Sequence, residues 1–436
     1  MLTYQDLLRS FHQQLMESQY WSADRLRDYQ HEQLEHLLRH ARANSPFYAT
    51  RLDPVFRGNG TIDFERWRDL PLLKREDLGK HRDAMLANNV PPHHGEARDF
   101  MTSGSSGVPV TIRANGIAAL AAQAAEYRAF DWHAIDYSAI LCSIVNEPGV
   151  AVWPEGRRRG PWGPQWAYGS SAGRKVEISF FETYPHMLDF IKRSEASYLV
   201  TGATVAHALA LEAERLDLGI RLDRVMTYGS NPTEAGKDAY RRAFGAGMLP
   251  RYSSKEANGI AHTCPSGEHY HVHAENILVE VLNAAGEPCA PGETGTVVVT
   301  PFLSTHQPII RYELGDLATV GGPCSCGRTL PVLTEIAGRI SHVFRFPDGT
   351  STYRRLPQSL RGQLKAGMWQ IAQVEPMRIE LRYQPLDWNE YGDEDGVVDF
   401  MRTLYPDGVE IVPRRVERFT LTNAGKLIEY VYEVET

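Results

Sequence analysis

The chain has 436 residues, of which 42% are hydrophobic and 23% charged, and a formal net charge of −8. That length favours two or three domains over a single core, and the composition excludes wholesale disorder. The acidic balance argues against a broad nucleic-acid-binding face. No apolar run reaches the ~18–20 residues of a membrane helix, and Met1–Asp6 has no basic stretch leading into an apolar core. The expectation is a cytoplasmic protein without a secretory signal.

The first hundred residues read as helical and peripheral. Between Ser22 and Arg42, the residues Leu26, Tyr29, Leu34, Leu37, Leu38 and Ala41 recur at helical spacing among charged side chains. From Phe100 to Tyr252, short apolar stretches alternate with helical ones. Ala139–Val145, Tyr198–Val200 and Arg224–Tyr228 read as strands, and Tyr184–Ser194, Thr204–Leu216 and Thr233–Phe244 as helices. This alternation predicts a layered α/β domain with a parallel or mixed sheet. The run Arg157-Arg158-Arg159 reads as a solvated loop.

After Cys264 the pattern turns β-rich, with strands at Ile277–Leu282 and Thr294–Thr300 around the turn Asn283–Pro288. The last hundred residues carry their own signals. Arg378–Tyr383, Glu417–Leu421 and Leu427–Val434 read as strands and Gly396–Leu404 as a helix, a pattern that suits a small α+β domain.

The loop Thr102-Ser103-Gly104-Ser105-Ser106-Gly107-Val108-Pro109 packs two glycines among hydroxyl side chains. Glycines bring backbone N–H groups close to a ligand, and hydroxyls donate to phosphate oxygens. It is not a Walker loop, because no Gly-Lys-Ser/Thr follows. By composition it is either a turn or an anion cradle. In order, it resembles the phosphate-binding loop of the adenylate-forming superfamily. That superfamily often has lysine after the proline, where this chain has Val110; the phenylacetate–CoA ligase branch and its capsule-biosynthesis relatives usually lack it as well.

The resemblance continues downstream in order. Tyr228-Gly229-Ser230-Asn231 ends a predicted strand where the family has its adenine-binding turn. Arg251-Tyr252-Ser253-Ser254-Lys255-Glu256 resembles the Tyr-Gly-x-Thr-Glu segment. It implies Tyr252 stacking on adenine and Glu256 holding Mg²⁺. Lys255 stands where a threonine hydroxyl usually faces the α-phosphate, and its role is left open. Pro308–Asp316 resembles Pro-Leu-Ile-Arg-Tyr-x-x-Gly-Asp, which implies ribose binding by Asp316 at a strand start and a nucleotide role for Arg311. Gly338-Arg339 matches the Gly-Arg before the family's hinge, with Ser341 at the usual hinge aspartate. Asn423-Ala424-Gly425-Lys426 resembles the Gly-Lys whose lysine neutralises charge during adenylation.

Cys264, His269, His271, His273, Cys324 and Cys326 form a second group. Spacing alone leaves two readings: a tetrahedral Zn²⁺ site, or buried free cysteines beside surface histidines. Three histidines at alternate positions would share one face of a strand. A similar Cys…Tyr-His…Cys-x-Cys-Gly-Arg pattern in the branch implies Cys264, His271, Cys324 and Cys326 as ligands of a structural ion.

The resemblance implies an α/β fold with a large domain, 1–338, whose first part, 1–99, is helical. A small mobile α+β domain, 339–436, would carry Lys426. It implies activation of a carboxylic acid, aromatic or small, to acyl-AMP with release of pyrophosphate. The acyl group then passes to coenzyme A or, alternatively, to an amine. A non-catalytic nucleotide- or zinc-binding homologue is the reading from another class. Trp132, His133, Asn146, Trp166, Tyr168 and Thr201–Thr204 are candidates for the acyl pocket, and a homodimer is left open.

Overall fold

Two N-terminal helices form where hydroxyl caps precede helical spacing. Helix α1, Tyr4–Ser18, begins at Thr3, whose side chain accepts from the Asp6 amide while the Asp6 carboxylate accepts from Thr3 in return. The next helix, Ala23–Asn44, begins at Ser22 and buries Leu26, Leu34, Leu37, Leu38 and Ala41, the stripe expected from sequence. The computed structural model describes every residue except 1–2, 102–109, 148, 168–171, 230–231, 233, 268, 340–343, 353–355, 357–358, 420–426 and 435–436. Among the described residues, no helix is long and apolar enough to cross a membrane.

The chain divides into two units. One comprises residues 1–137, 163–171 and 251–338; the other comprises 138–162, 172–250 and 339–436.

In the first unit, the strands run in the spatial order Ile277–Leu282, Thr294–Pro301, Tyr312–Val320, Val332–Arg339, Tyr270–Val272, Asn258–Thr263. The last of these pairs antiparallel with the second half of the strand Gly247–Ser254. Pairing between Thr294–Pro301 and Tyr312–Val320 jumps from Thr296↔Leu317 to Val298↔Glu313. Leu314, Gly315 and Asp316 therefore face the single residue Val297, and Gly315 takes φ +75°. Asp316 sits on a bulge inside a strand, not at the strand start expected from sequence. The core beneath joins Val297, Val299, Tyr312 and Ile336 with Leu37, Leu38 and Tyr48 of the helical part.

In the second unit, Leu141–Val145, Arg174–Ser179, Tyr198–Gly202, Arg224–Tyr228 and the start of Gly247–Ser254 form parallel pairs. Helices Tyr184–Arg193, Ala203–Arg215 and Glu234–Phe244 alternate with them and share one apolar core. This is the predicted strand–helix alternation. Arg157-Arg158-Arg159 is not a loop: it lies in the edge strand Arg157–Pro161, where Arg157, Arg159 and Lys175 converge on the buried Glu177.

Residues 344–434 build a further four-stranded sheet in the order Glu410–Arg415, Arg378–Pro385, Ala366–Glu375, Tyr430–Tyr432. Its own core contains Trp369, Ile371, Leu381, Val397 and Tyr430. Of the strand expected at Glu417–Leu421, residues 417–419 are not in a strand and 420–421 lie outside the described residues; the strand here is Glu410–Arg415, parallel to Arg378–Pro385. The helix is Glu394–Arg402, started by Asp393, whose carboxylate caps the Gly396 amide.

Candidate active site

The strand Gly247–Ser254 turns into Asn258–Thr263 through Lys255, Glu256 and Ala257. Ser254 Oγ accepts from the Ala257 amide at 3.0 Å and Asn258 takes φ +56° to close the turn. Directly paired residues lie on one face, so Arg251 shares a side with His262 and Tyr252 with Ala261. On the latter side the buried Tyr252 donates its phenolic O–H to Asp316 Oδ2 at 2.8 Å. Gly315 and the bulge aim that carboxylate.

Glu256 is buried at 6% exposure. Its Oε1 lies 3.4 Å from the Tyr312 hydroxyl and 3.7 Å from Arg75 Nη1. Arg75 comes from the helical region to which the sequence assigned no chemistry. Lys255, beside it, is exposed and donates to the backbone carbonyl of Met101, the residue that opens the 102–109 segment. Among the described residues it has no carboxylate partner within ion-pair distance. The turn thus holds an acid turned inward and a cation turned toward the end of the strand Arg98–Met101.

Several sequence candidates fall elsewhere. Arg311 is buried at 3% exposure with φ +51°. Its guanidinium binds both oxygens of Glu280, at 3.0 and 3.2 Å, and the carbonyl of Leu70 at 2.7 Å. These bonds join strand to helical region and turn Arg311 away from the nucleotide role expected of it. Gly229 follows the strand Arg224–Tyr228 with φ +89°, a conformation that favours glycine. It belongs to the second unit. Ser253 lies in the strand beside Tyr252. Arg339 closes the strand Val332–Arg339. Thr102, Ser103, Gly104, Ser105, Ser106, Gly107, Ser230, Asn231, Tyr168, Ser341 and Lys426 lie outside the described residues. Trp132 is a packing residue: its indole N–H donates to Gln19 Oε1 at 2.7 Å.

The first unit also gathers Cys264, His271, Cys324 and Cys326, whose donor atoms all lie within 4.8 Å of one another. Cys264 Sγ is 3.7 Å from Cys324 Sγ, and Cys326 Sγ is 3.3 Å from His271 Nε2. Sulfur at about 2.3 Å and nitrogen at about 2.0 Å from a tetrahedral ion stand about 3.8 Å (S–S) and about 3.5 Å (S–N) apart. The observed edges fit one ion.

The backbone fits it as well. Ser266 N–H points at Cys264 Sγ (3.4 Å) and Cys326 N–H at Cys324 Sγ (3.3 Å), while the Arg328 backbone N–H acts on Cys326 in the same two-residue relation. Donation of this kind favours thiolate over thiol. Burial, followed by the neighbouring His269, pushes His271 down to about 4, so the imidazole is neutral and free to ligate. Burial pushes the Cys324 thiol up to about 11, and a divalent cation would reverse that. The three alternate histidines do share a side but diverge in partner. His269 Nε2 reaches Cys324 Sγ at 3.0 Å, and His273 turns to Arg128 and His262.

No protein-family model matches the chain. In sequence it is 25% identical over 337 residues to phenylacetate-coenzyme A ligase of Thermus thermophilus, covering 72% of this chain and 71% of that protein. In structure it is similar to 2-hydroxyisobutyryl-CoA ligase in its postadenylation state with R3-HIB-AMP. The TM-score is 0.70 at 19% identity, over 96% of this chain and 93% of that one. An amide bond synthetase from Marinactinospora thermotolerans gives 0.54 at 15% identity, over 96% and 97%. The mixed α/β fold is the one seen in 2-hydroxyisobutyryl-CoA ligase. The sequence match to a phenylacetate–CoA ligase points to the same group of folds.

Proposed function

We propose that the protein activates a carboxylic acid with ATP, forming acyl-AMP and pyrophosphate, and passes the acyl group to the thiol of coenzyme A. The observation that carries this reading is the Tyr252–Asp316 hydrogen bond next to the buried Glu256. These are the residues to which the family resemblance gives adenine, ribose and magnesium, and they sit together although far apart in sequence.

In this reading the carboxylate oxygen of the acid attacks the α-phosphorus, and the bond to the bridging β-phosphate oxygen breaks. The Tyr252 ring covers the adenine and the Asp316 carboxylate accepts from the ribose hydroxyls. Glu256 would hold Mg²⁺, which supplies charge neutralisation to the phosphates. The family resemblance gives phosphate binding to 102–107 and the adenine turn to Gly229, Ser230 and Asn231, and Lys255 would add a charge for the phosphates. The family resemblance gives Arg339 and Lys426 to the adenylation step, where Lys426 would neutralise charge building on the carboxylate and the α-phosphate. Catalysis is positioning and charge stabilisation, with no covalent enzyme intermediate.

Cys264, His271, Cys324 and Cys326 would hold a zinc ion with all four positions filled by protein. Such an ion fixes backbone and does not activate substrate.

Incubation with ATP, Mg²⁺, coenzyme A and a panel of aromatic and small aliphatic acids tests the proposal. It predicts AMP, pyrophosphate and an acyl-CoA identified by mass. Formation of ADP contradicts it. AMP with an amide in place of the thioester, when amines are supplied, would favour the amine acceptor, in keeping with the likeness to the amide bond synthetase fold.

A further inference from the structure

The end of helix α1 is held by an unusual density of polar bonds. Ser18 is fully buried and Gln19 is 1% exposed. Ser18 Oγ donates to Glu275 at 2.6 Å, and Arg128 Nη1 donates to the Leu15 carbonyl at 3.0 Å. Gln19 Oε1 accepts from both Trp132 Nε1, at 2.7 Å, and Arg328 Nε, at 3.1 Å. The Gln19 carbonyl accepts from the Thr329 amide at 2.9 Å, and the Thr329 hydroxyl reaches the carbonyls of Gln19 and Trp21.

Two of these donors, Arg328 and Thr329, follow the Cys324–Cys326 pair after Gly327. They lie in residues 321–331, a connection without helix or strand between Tyr312–Val320 and Val332–Arg339. Backbone bonds fix its ends, Gly321 N–H to the Val332 carbonyl and Val272 N–H to the Pro331 carbonyl, and between them two anchors hold it. One anchor is the cysteine cluster, and the other is Gln19.

Two routes join them. Arg328 acts on Cys326 through backbone and guanidinium, stacks over Trp132 at 4.6 Å, and donates to Gln19. Trp132 meets the ring of His271 edge-on at 5.7 Å and donates to the same Gln19 oxygen.

We propose that metal binding at Cys264, His271, Cys324 and Cys326 and docking of helix α1 are one linked equilibrium, joined by Gln19, Trp132 and Arg328. The inference rests on the zinc reading given above. Its physical content is reciprocity: what orders the 324–329 segment favours α1 on the body, and a docked α1 favours the metal. Without the ion, three thiols lose their common partner, and Arg328 and Thr329 lose the fixed backbone from which they hold Gln19. The ion then acts beyond its own ligands, as a clamp on the N-terminal helix.

The test uses the full chain. Zinc stoichiometry is measured on the purified protein and after reconstitution with zinc alone, followed by hydrogen exchange with and without chelation. The expected result is one zinc per chain. Amides of Leu7–Gln19 should exchange at least ~10-fold faster after chelation and recover on adding zinc, while those of Ala366–Glu375 stay unchanged. In the reciprocal arm, Gln19→Ala and, separately, Thr329→Val should weaken zinc in competition with a chromophoric chelator by about 10-fold, the scale for partners just outside a metal's ligands. Equal protection of α1 in zinc-bound and zinc-free protein, together with unchanged affinity in both variants, overturns the inference while leaving the zinc site standing. A chain that takes up no zinc overturns both.

Discussion

The phenol of Tyr252 donates to the carboxylate of Asp316 at 2.8 Å, across 64 residues of sequence. The bond fixes the tyrosine ring against the Asp316 carboxylate. It ties the proposed base-stacking and ribose-binding residues into one rigid element.

Tyr252→Phe keeps the ring and removes the bond. A hydrogen bond to a charged acceptor contributes about 1.5–3 kcal/mol. The expected outcome is a rise of roughly 10-fold in KM for ATP with kcat changed less, and Asp316→Ala should exceed it. Initial-rate kinetics with ATP as varied substrate check this; an unchanged KM in both variants would remove the pair from the nucleotide site.

Among the described residues the Lys255 ammonium meets the Met101 carbonyl, and in the proposed reading it would serve the phosphates. Lys255→Thr should raise the inhibition constant of inorganic pyrophosphate by about 10-fold, the scale of a charged hydrogen bond, and leave that of adenosine unchanged. Lys255→Arg should restore pyrophosphate inhibition. Equal effects on both inhibitors would mean that the lysine only supports the strand end.

Arg311 and Glu280 form a buried ion pair, with side chains 4% and 12% exposed. Breaking such a pair strands a charge and costs about 3–5 kcal/mol. Arg311→Met and Glu280→Gln should both lower the denaturation midpoint sharply while the remaining folded protein keeps its KM for ATP. A nucleotide-binding Arg311 would instead raise KM in its own variant only.

Stability should also fall with pH below neutrality. Burial, followed by the neighbouring histidines, pushes His94 down to about 4, and burial with Arg113 lowers His306. The unfolded chain binds protons near 6.5 and the folded one does not. The histidine contribution is therefore present above 6.5 and lost between 6.5 and 4. Urea midpoints at pH 7.5, 6.5 and 5.5 should decline, with a shallower decline in His94→Gln. A flat profile across that window contradicts the burial of these rings.

The strands Arg224–Tyr228 and Ile277–Leu282 were legible residue for residue, because each is a short, strand-favouring run closed by a turn-forming residue, Gly229 or Asn283. Helix α1 was not. Its buried face includes His12 and Ser18, which hide through Asp131 and Glu275 and not through apolarity. The helix Gly116–Trp132 lacked a readable stripe because its alanines are apolar on every side. The motif around Asp316 was visible in sequence, yet the bulge needs the partner strand and could not be read locally. The four metal-site candidates were legible from motif order, and the fold brings their donor atoms together. Arg75 at Glu256 was not legible, since nothing in a charged helical stretch marks which arginine a distant acid will face.

Acid-dependent exchange of labelled pyrophosphate into ATP tests the central claim most directly. The account predicts exchange with at least one carboxylic acid in a broad panel, none without acid, and a loss of about 10²–10³-fold in Glu256→Gln, the scale of removing one transition-state charge contact. Exchange absent with every acid, or equal in Glu256→Gln and the unaltered chain, would contradict it.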